Sequence, residues 1–566
     1  MLKIELDATW ARDLAYHWLF ALFVVFGLSL AVPWTWWLQT TFHYYCDEPY
    51  CTHIAEELRR SLDLHTDPCE NFYRFVCGRW GRANRPFPYE ALRHHHRFQE
   101  ELAAAMLGRE PRRHEQGAID KAARLYRECR YQPFDDSCHL NKVAAVLADL
   151  DITWPFAKEL SGSLRSLSLI STLTNAHLRY GLNILYKASV VLRRFKRERK
   201  LVFHIGPLQP LPEPLLNAEQ LSRAVISLAT RMGLVGVDYT YLADLVQEEE
   251  KSLTAFLEDS QEGADESIMV TFEEAKAGFP SYNWTHLMTL INKELGYVLT
   301  LKDHVYINER TFDAATTVFQ VGAAIHAFIG WRVVRRLAPM TCGLDNTALA
   351  QVVGGDVDVM SDLLATNTLC NLHEHMPLAL GTPYIKLKRP EDNRKNLQMY
   401  FSRLLKSSLE DGFYESSYIS QLFRKEAARL MRHLKSHLLY PDYKHVESQV
   451  NHLYRHLPDF EGDCLNMTLT LLRESSRQRL RQLGRATAPY GDGWEHPQTA
   501  VRPLYSLETN ALFVPLGAAA SPLYANGAPA TWKLGALGTL VAHEITNKVF
   551  EFADSWHQLA TPEPHC

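Results

Sequence analysis

The strongest hydrophobic pattern in this chain is continuous rather than periodic. Trp18 to Leu38 runs 21 residues without a charge, about 31 Å as a helix, which matches a bilayer core. Trp34, Trp36 and Trp37 gather at its end, where an interfacial aromatic belt would sit. Beyond it the apolar positions become periodic. In ESSYISQLFRKEAARLMRHLKSHLLY, Phe423, Ala427, Leu430, Leu434 and Leu438 recur every three or four residues. That spacing predicts an amphipathic helix ended by Tyr440-Pro441-Asp442. Ala188 to Leu192 and Leu201 to Phe203 read instead as a hairpin with a charged connection. The whole pattern predicts a mainly α protein with minor β. RATAPYGDGWEHPQTA, rich in Gly, Pro and polar residues, marks a boundary around 480–500.

Charge orients the apolar run. Lys3 and Arg12 precede it and no Lys or Arg follows until Arg59. Residues 1–17 are therefore expected in the cytoplasm and everything after Leu38 outside. A cleaved signal peptide is the rival, because Ser29 and Ala31 have the size and spacing of a cleavage site, and it would give a secreted product. Apolarity continues through Leu38, which favours a retained anchor and a type II plasma-membrane protein. All ten cysteines lie beyond the run, an even number that suits an oxidising compartment. Asn283-Trp284-Thr285 and Asn466-Met467-Thr468 are glycosylation acceptors for that side. The length of 566 residues allows two or more domains, and the formal net charge of −5 gives no argument for a nucleic-acid partner.

Candidate chemistry sits near the end of the sequence. His543-Glu544-Ile545-Thr546-Asn547 is one residue short of H-E-x-x-H. In that motif two histidines four apart on one helical face hold Zn²⁺, and the glutamate handles the proton of the attacking water. Leu537, Leu540 and Val541 would supply the packed face of a helix over Leu534 to Phe552. Asn547 places a shorter, neutral carboxamide where the second imidazole belongs, and Zn²⁺ prefers imidazole, thiolate or carboxylate. A working site is not expected and no cofactor is expected; zinc enters only if the chain is an enzyme after all.

Other clusters point to structure before chemistry. His94-His95-His96 diverge on a helix and are expected on a solvated face. Cys370-x-x-His373-Glu374-His375 is metal-like by residue type alone. His433 and His437, four apart, are expected on the polar side of the amphipathic helix. Arg193 to Lys200 reads as a charged hairpin tip, with glycosaminoglycan binding as the alternative.

Cys46 to Trp80 narrows the field. Cys46 and Cys51, then Asp67-Pro68-Cys69-Glu70-Asn71-Phe72-Tyr73, then Cys77-Gly78-Arg79-Trp80 resemble the start of the ectodomain in the neprilysin family of membrane zinc metallopeptidases. Further landmarks follow in order: Tyr126 to Cys129, Leu201 to Ile205, Leu208 to Pro212, Asn283-Trp284, Thr368 to Leu387, Tyr440 to Asp442, and Leu537 to Glu544. The resemblance runs from about Cys46 to the end. It implies a large helical ectodomain lobe over 46–480 and a truncated, degenerate thermolysin-like metallopeptidase module over 500–566.

Carried over residue by residue, His543 is the vestigial first zinc ligand, Glu544 the vestigial general base, and Asn547 stands at the second-ligand position. The family's third ligand, a glutamate from a later helix, has no counterpart before Cys566. The substrate-binding edge strand falls on Arg502-Pro503-Leu504-Tyr505, followed by a strand from Asn510 to Pro515. Arg502 lacks the family asparagine's amide and Pro503 has no N–H to give a peptide, so Arg502 and Leu504 mark a degenerate edge. The resemblance implies disulfides Cys46–Cys51 and Cys129–Cys370. Cys69, Cys77, Cys138, Cys342, Cys464 and Cys566 stay unassigned. The expected function is a membrane-anchored pseudopeptidase that binds extracellular peptides; the alternative is a zinc metalloendopeptidase acting on small extracellular peptides.

Overall fold

The computed structural model describes residues 16–22, 24–25, 29 and most of 49–560. Within that stretch the exceptions are 86, 88, 132–139, 160–168, 196–197, 207–216, 234–235, 262–266, 281, 297–298, 310–322, 342–356, 389–390, 402–404, 418–419, 442–446, 486–493 and 508. Most of the Trp18–Leu38 run therefore lies outside the described residues, as do Cys46, Cys138, Cys342 and Cys566. Among the described residues no helix is long and apolar enough to cross a membrane. The chain forms two compact units, one of residues 1–90 with 521–537 and one of 91–520 with 538–566.

In the first unit the cysteine-rich landmark folds into short helices, Pro49–Ser61, Phe72–Cys77 and Trp80–Ala83. Asp67 bends the chain by accepting the Cys69 N–H at 2.8 Å. Asn71 then caps the next helix by accepting the Arg74 N–H at 2.9 Å. Cys51 is disulfide-bonded, whereas Cys69 and Cys77 are free thiols.

The second unit is mainly helical with minor sheet. Its core surrounds the helix Ala118–Arg130, in which nine residues are buried, packed by Val357–His375, Pro377–Lys388 and Cys464–Leu480. Asp120, fully buried in that helix, lies 2.9 Å from both the Arg109 and the Arg112 Nε. Burial alone would raise its pKa, but the two guanidinium groups hold it below the usual carboxylate value.

The disulfide here corrects the expected pairing: Cys129 joins Cys464, with an S–S distance of 2.06 Å and Cα atoms 4.8 Å apart, and Cys370 is a free thiol. The reason lies in the packing. Cys464 opens the helix Cys464–Leu480 against the end of Ala118–Arg130, and both sulfurs belong to fully buried residues. Burial pushes the Cys370 thiol up in pKa.

Four strands form one sheet: β1 (Lys187–Phe195), β2 (Glu198–Gly206), β3 (Ser267–Thr271) and β4 (His304–Asn308). Their order is β1-β2-β4-β3. β1 and β2 are the expected hairpin, antiparallel from Lys187↔Gly206 to Phe195↔Glu198. A second sheet, ordered β5-β7-β6, contains β5 (Lys435–Leu439), β6 (Leu504–Ser506) and β7 (Ala511–Pro515).

β5 overturns part of the sequence reading. The amphipathic helix spans Gln421–Arg432 and ends at His433. The next residues pair parallel with β7, starting from Lys435 N–H to the Asn510 carbonyl at 3.0 Å. Leu434 and Leu438 are buried as expected, but Leu438 lies on the strand. His433 and His437 therefore share no helical face; His437 stacks on Phe513 at 4.9 Å between ring centroids.

Candidate active site

The helix Thr539–Ala560 carries the degenerate motif. Val541, Ile545 and Val549 recur every four residues and are buried at 1%, 0% and 0% exposure, so this stripe holds the helix to its unit. Leu540, expected in the packed face, is 38% exposed, because the stripe runs through positions one later. That phase leaves His543 and Asn547 on the exposed side and Glu544 half-buried.

Asn547 and His543 meet each other. The Asn547 Nδ2 lies 3.0 Å from the His543 Nε2. An amide nitrogen donates only, so Nε2 accepts and the neutral ring carries its proton on Nδ1. Glu544 turns elsewhere: its Oε1 accepts the backbone N–H of Tyr505 at 3.3 Å.

Tyr505 is the middle residue of β6, which forms the edge of its sheet beside β7. Residues 503 and 505 share one parity on this strand, and Tyr505 N–H points away from β7 toward Glu544. Pro503 has no N–H, so this side of the edge offers neither donor to a passing peptide. Arg502 is exposed just ahead of β6, and Leu504 packs on Trp494, Ala511 and Phe513. The Tyr505 hydroxyl donates to Asn510 Oδ1 at 2.9 Å, while Asn510 Nδ2 donates to the Leu430 carbonyl at 2.8 Å. Burial pushes the Tyr505 phenol up to about 12. The sequence reading quoted Tyr505 and Asn510 only as strand landmarks. Asn510 has φ +48°, a conformation Asn tolerates better than most residues, and that was the available signal.

These residues do not fit a zinc ion. The lone pair His543 would offer a metal is engaged by Asn547, and Glu544 is committed to a backbone amide. Among the described residues no group of three or more His, Cys, Asp or Glu side chains could hold a metal ion.

The helical lobe, the two small sheets and the helix bearing His543 and Glu544 have a counterpart among known proteins. The profile described as peptidase family M13 matches residues 68–441. The chain belongs to peptidase family M13. Neprilysin-1 of Trittame loki is 20% identical over 538 residues, covering 89% of this chain and 73% of that one. Membrane metallo-endopeptidase-like 1 of Mus musculus is 20% identical over 565 residues, covering 89% and 69%. In three dimensions the chain is similar to PepO from Lactobacillus rhamnosis, with a TM-score of 0.61 at 15% identity, covering 85% and 76%; at that identity the likeness shows the fold. The neprilysin-family reading is thus shown. The M13 profile match stops before β6, so the altered residues lie beyond it.

The remaining candidates of this M13 chain are spread through its second unit. His94, expected in solvent, is 4% exposed; it takes the core position four before Phe98 and its Nε2 lies 2.7 Å from the Gly517 carbonyl oxygen. His96 stays exposed beside Glu100. His373 meets the Thr499 hydroxyl at 2.7 Å, and burial pushes its pKa down to about 4. Glu374 instead pairs with Lys187 at 3.3 Å and Arg479 at 3.5 Å. His375, enclosed by neighbours and faced by Arg479, has its pKa pushed down to about 3. Neighbours in sequence thus point to different partners. Asn283 and Asn466 are both exposed; Asn283 caps the helix Trp284–Leu295 and Asn466 lies in the opening turn of Cys464–Leu480.

Proposed function

We propose that this chain is a membrane-anchored, non-catalytic member of peptidase family M13 that binds extracellular peptides without cutting them. The observation that supports the reading is the Asn547–His543 hydrogen bond, which engages the Nε2 that a metal would need. The substitution is internal to the helix, so it is independent of any sequence beyond Cys566. Capture by adding a strand to β6 is disfavoured by Pro503 and by the Glu544–Tyr505 bond. Peptide binding would rest on side-chain contacts in the helical lobe over 46–480, with 500–566 as the altered peptidase module.

Residues 1–17 would lie in the cytoplasm and 18–38 across the plasma membrane. Charge bias supports this orientation, and a relative bears the name membrane metallo-endopeptidase-like. The deciding experiment is elemental analysis of the purified full-length protein beside a peptide-library cleavage assay. Near one zinc per chain, with chelator-sensitive cleavage abolished by Glu544→Gln, would establish the zinc endopeptidase alternative. Glycosidase-sensitive mobility, lost with Asn283→Gln and Asn466→Gln together, would support the extracytoplasmic placement; a secreted product would overturn the anchor.

A further inference from the structure

We propose that Tyr414 is an acceptor for O-sulfation. Five tyrosines among the described residues are exposed: Tyr16, Tyr73, Tyr89, Tyr131 and Tyr414. Arg12, Arg74, Arg85 and Arg130 stand within four residues of the first four, in that order. Tyr414 differs, because the same span around it holds Glu410, Asp411 and Glu415 and no cation. A sulfotransferase has to bind a polyanionic phosphosulfate donor, so its acceptor cleft is cationic and draws in acidic segments. The fold sets these acids beside the phenol. Tyr414 is the penultimate residue of the helix Lys406–Glu415, and Asp411 and Glu410 lie three and four positions back on the same face. Phe413, which is buried, meets the Phe550 ring at 6.4 Å between centroids. That contact holds the helix with Tyr414 turned outward, 65% exposed. Asp411 and Glu415 are exposed as well, while Glu410 is half-buried beside the Arg432 Nε at 3.1 Å.

The same acids work against the helix that carries them. A helix C-terminus holds the negative end of the dipole and favours cations, yet the last turn here has no base. Asp411 and Glu415, four apart, add like-charge repulsion. Gly412 lowers the helix propensity of this turn, and nothing lies within 4 Å of the place its Cβ would take, so packing does not require it. Ser416 then leaves the helix in an extended conformation, φ −61° and ψ 118°. The last turn therefore opens at little cost and can present Tyr414 in an extended segment to a transferase. In the transfer the phenol oxygen bonds to the donor's sulfur and the S–O bond to the nucleotide phosphate breaks. The nucleotide leaves with that electron pair, and the phenolic proton passes to a base of the transferase; nothing is oxidised or reduced. The proposal rests on the extracytoplasmic placement argued above, and the buried Cys129–Cys464 disulfide suits the same compartment.

The test is mass spectrometry of the tryptic peptide 407–424 from full-length protein made in secretory cells grown on labelled sulfate. The wild type is expected to carry a phosphatase-resistant sulfate that electron-transfer fragmentation places on Tyr414. Tyr414→Phe, a change at an exposed position, is expected to abolish the label in this peptide. Asp411→Asn/Glu415→Gln is expected to lower its occupancy about threefold or more. The purified proteins, incubated with a tyrosine sulfotransferase and the phosphosulfate donor, should show the same order of labelling rates. An unmodified Tyr414, label on Tyr418 alone, a phosphatase-sensitive group, or unchanged occupancy in the double variant would each overturn the proposal. N-glycans at Asn283 or Asn466 on the same molecules separate two kinds of failure. Unmodified Tyr414 on glycosylated chains overturns sulfation alone; on unglycosylated chains it overturns sulfation and the extracytoplasmic placement together.

Discussion

Asn547 donates its side-chain amide to the Nε2 of His543 at 3.0 Å, one helical turn away. In H-E-x-x-H these two positions converge on a metal; here they converge on each other. The exchange also fixes the histidine tautomer, with the proton on Nδ1. A metal at His543 would have to break this bond and recruit further ligands to reach the three protein ligands of an ordinary catalytic zinc site.

Asn547→His alone is therefore expected to leave peptidase activity undetectable. It rebuilds the helical pair, but Glu544 still accepts the Tyr505 N–H at 3.3 Å and Pro503 still withholds a donor from the edge. The measurement is hydrolysis of a fluorogenic peptide library with and without chelator, beside zinc content per chain. Chelator-sensitive turnover by the single variant would show that one imidazole was the whole defect.

Disulfide mapping should recover a Cys129–Cys464 peptide and an alkylatable Cys370. Cys464→Ser is expected to cost about 2–5 kcal/mol in denaturant unfolding, since the bridge closes a loop of 335 residues. Cys370→Ser should cost far less. A Cys129–Cys370 peptide, or equal losses from the two substitutions, would return the pairing to the one the family resemblance implied.

The parts of the fold readable from sequence were those set by short-range pattern. Ala188–Leu192 and Leu201–Phe203 are short apolar runs joined by a charged connection, and they form β1 and β2. Leu434 and Leu438 misled because their helical spacing also suits a buried strand, and only pairing with β7, some 75 residues later, decides between the two. His94 shows the same limit. A histidine on an i, i+4 stripe with Phe98 belongs to the core when a carbonyl such as that of Gly517 meets its Nε2, and that carbonyl is remote in sequence. At the candidate site the substituted ligand was legible residue by residue. What Asn547 and Glu544 bind in place of metal and substrate was not, because it depends on the helix phase and on β6.

Asn510 joins the strand-edge tyrosine to the neighbouring helix through hydrogen bonds of 2.9 Å and 2.8 Å, in a left-handed conformation. Asn510→Ala strains the backbone and strands both the Tyr505 hydroxyl and the Leu430 carbonyl, at an expected cost of roughly 2–4 kcal/mol. Asn510→Gly removes the strain but not the lost bonds, so it should be the milder change. Thermal unfolding of the two variants side by side checks the order; equal losses would mean the conformation contributes nothing.

Acid should weaken the second unit through histidines that fold in their neutral form. His177 is 7% exposed. Burial, aided by the Arg479 charge, pushes its pKa down to about 4, while the bond to Asn183 and the Glu374 charge pull the other way. Its Nδ1 donates to Asn183 Oδ1 at 3.1 Å. A group whose folded pKa lies below the unfolded value of about 6.5 contributes stability that is full above that value and fades as pH falls toward the folded pKa. For His177 the loss between pH 7 and pH 5 is about 2 kcal/mol. His373 and His375 shift the same way, but they are only half-buried, so solvent screening makes their shares smaller. Urea unfolding at pH 7 and pH 5 should show this drop, and His177→Gln should flatten it by roughly the His177 share. Equal stability at both pH values, or an unchanged slope in the variant, would mean that His177 is not neutral in the folded protein.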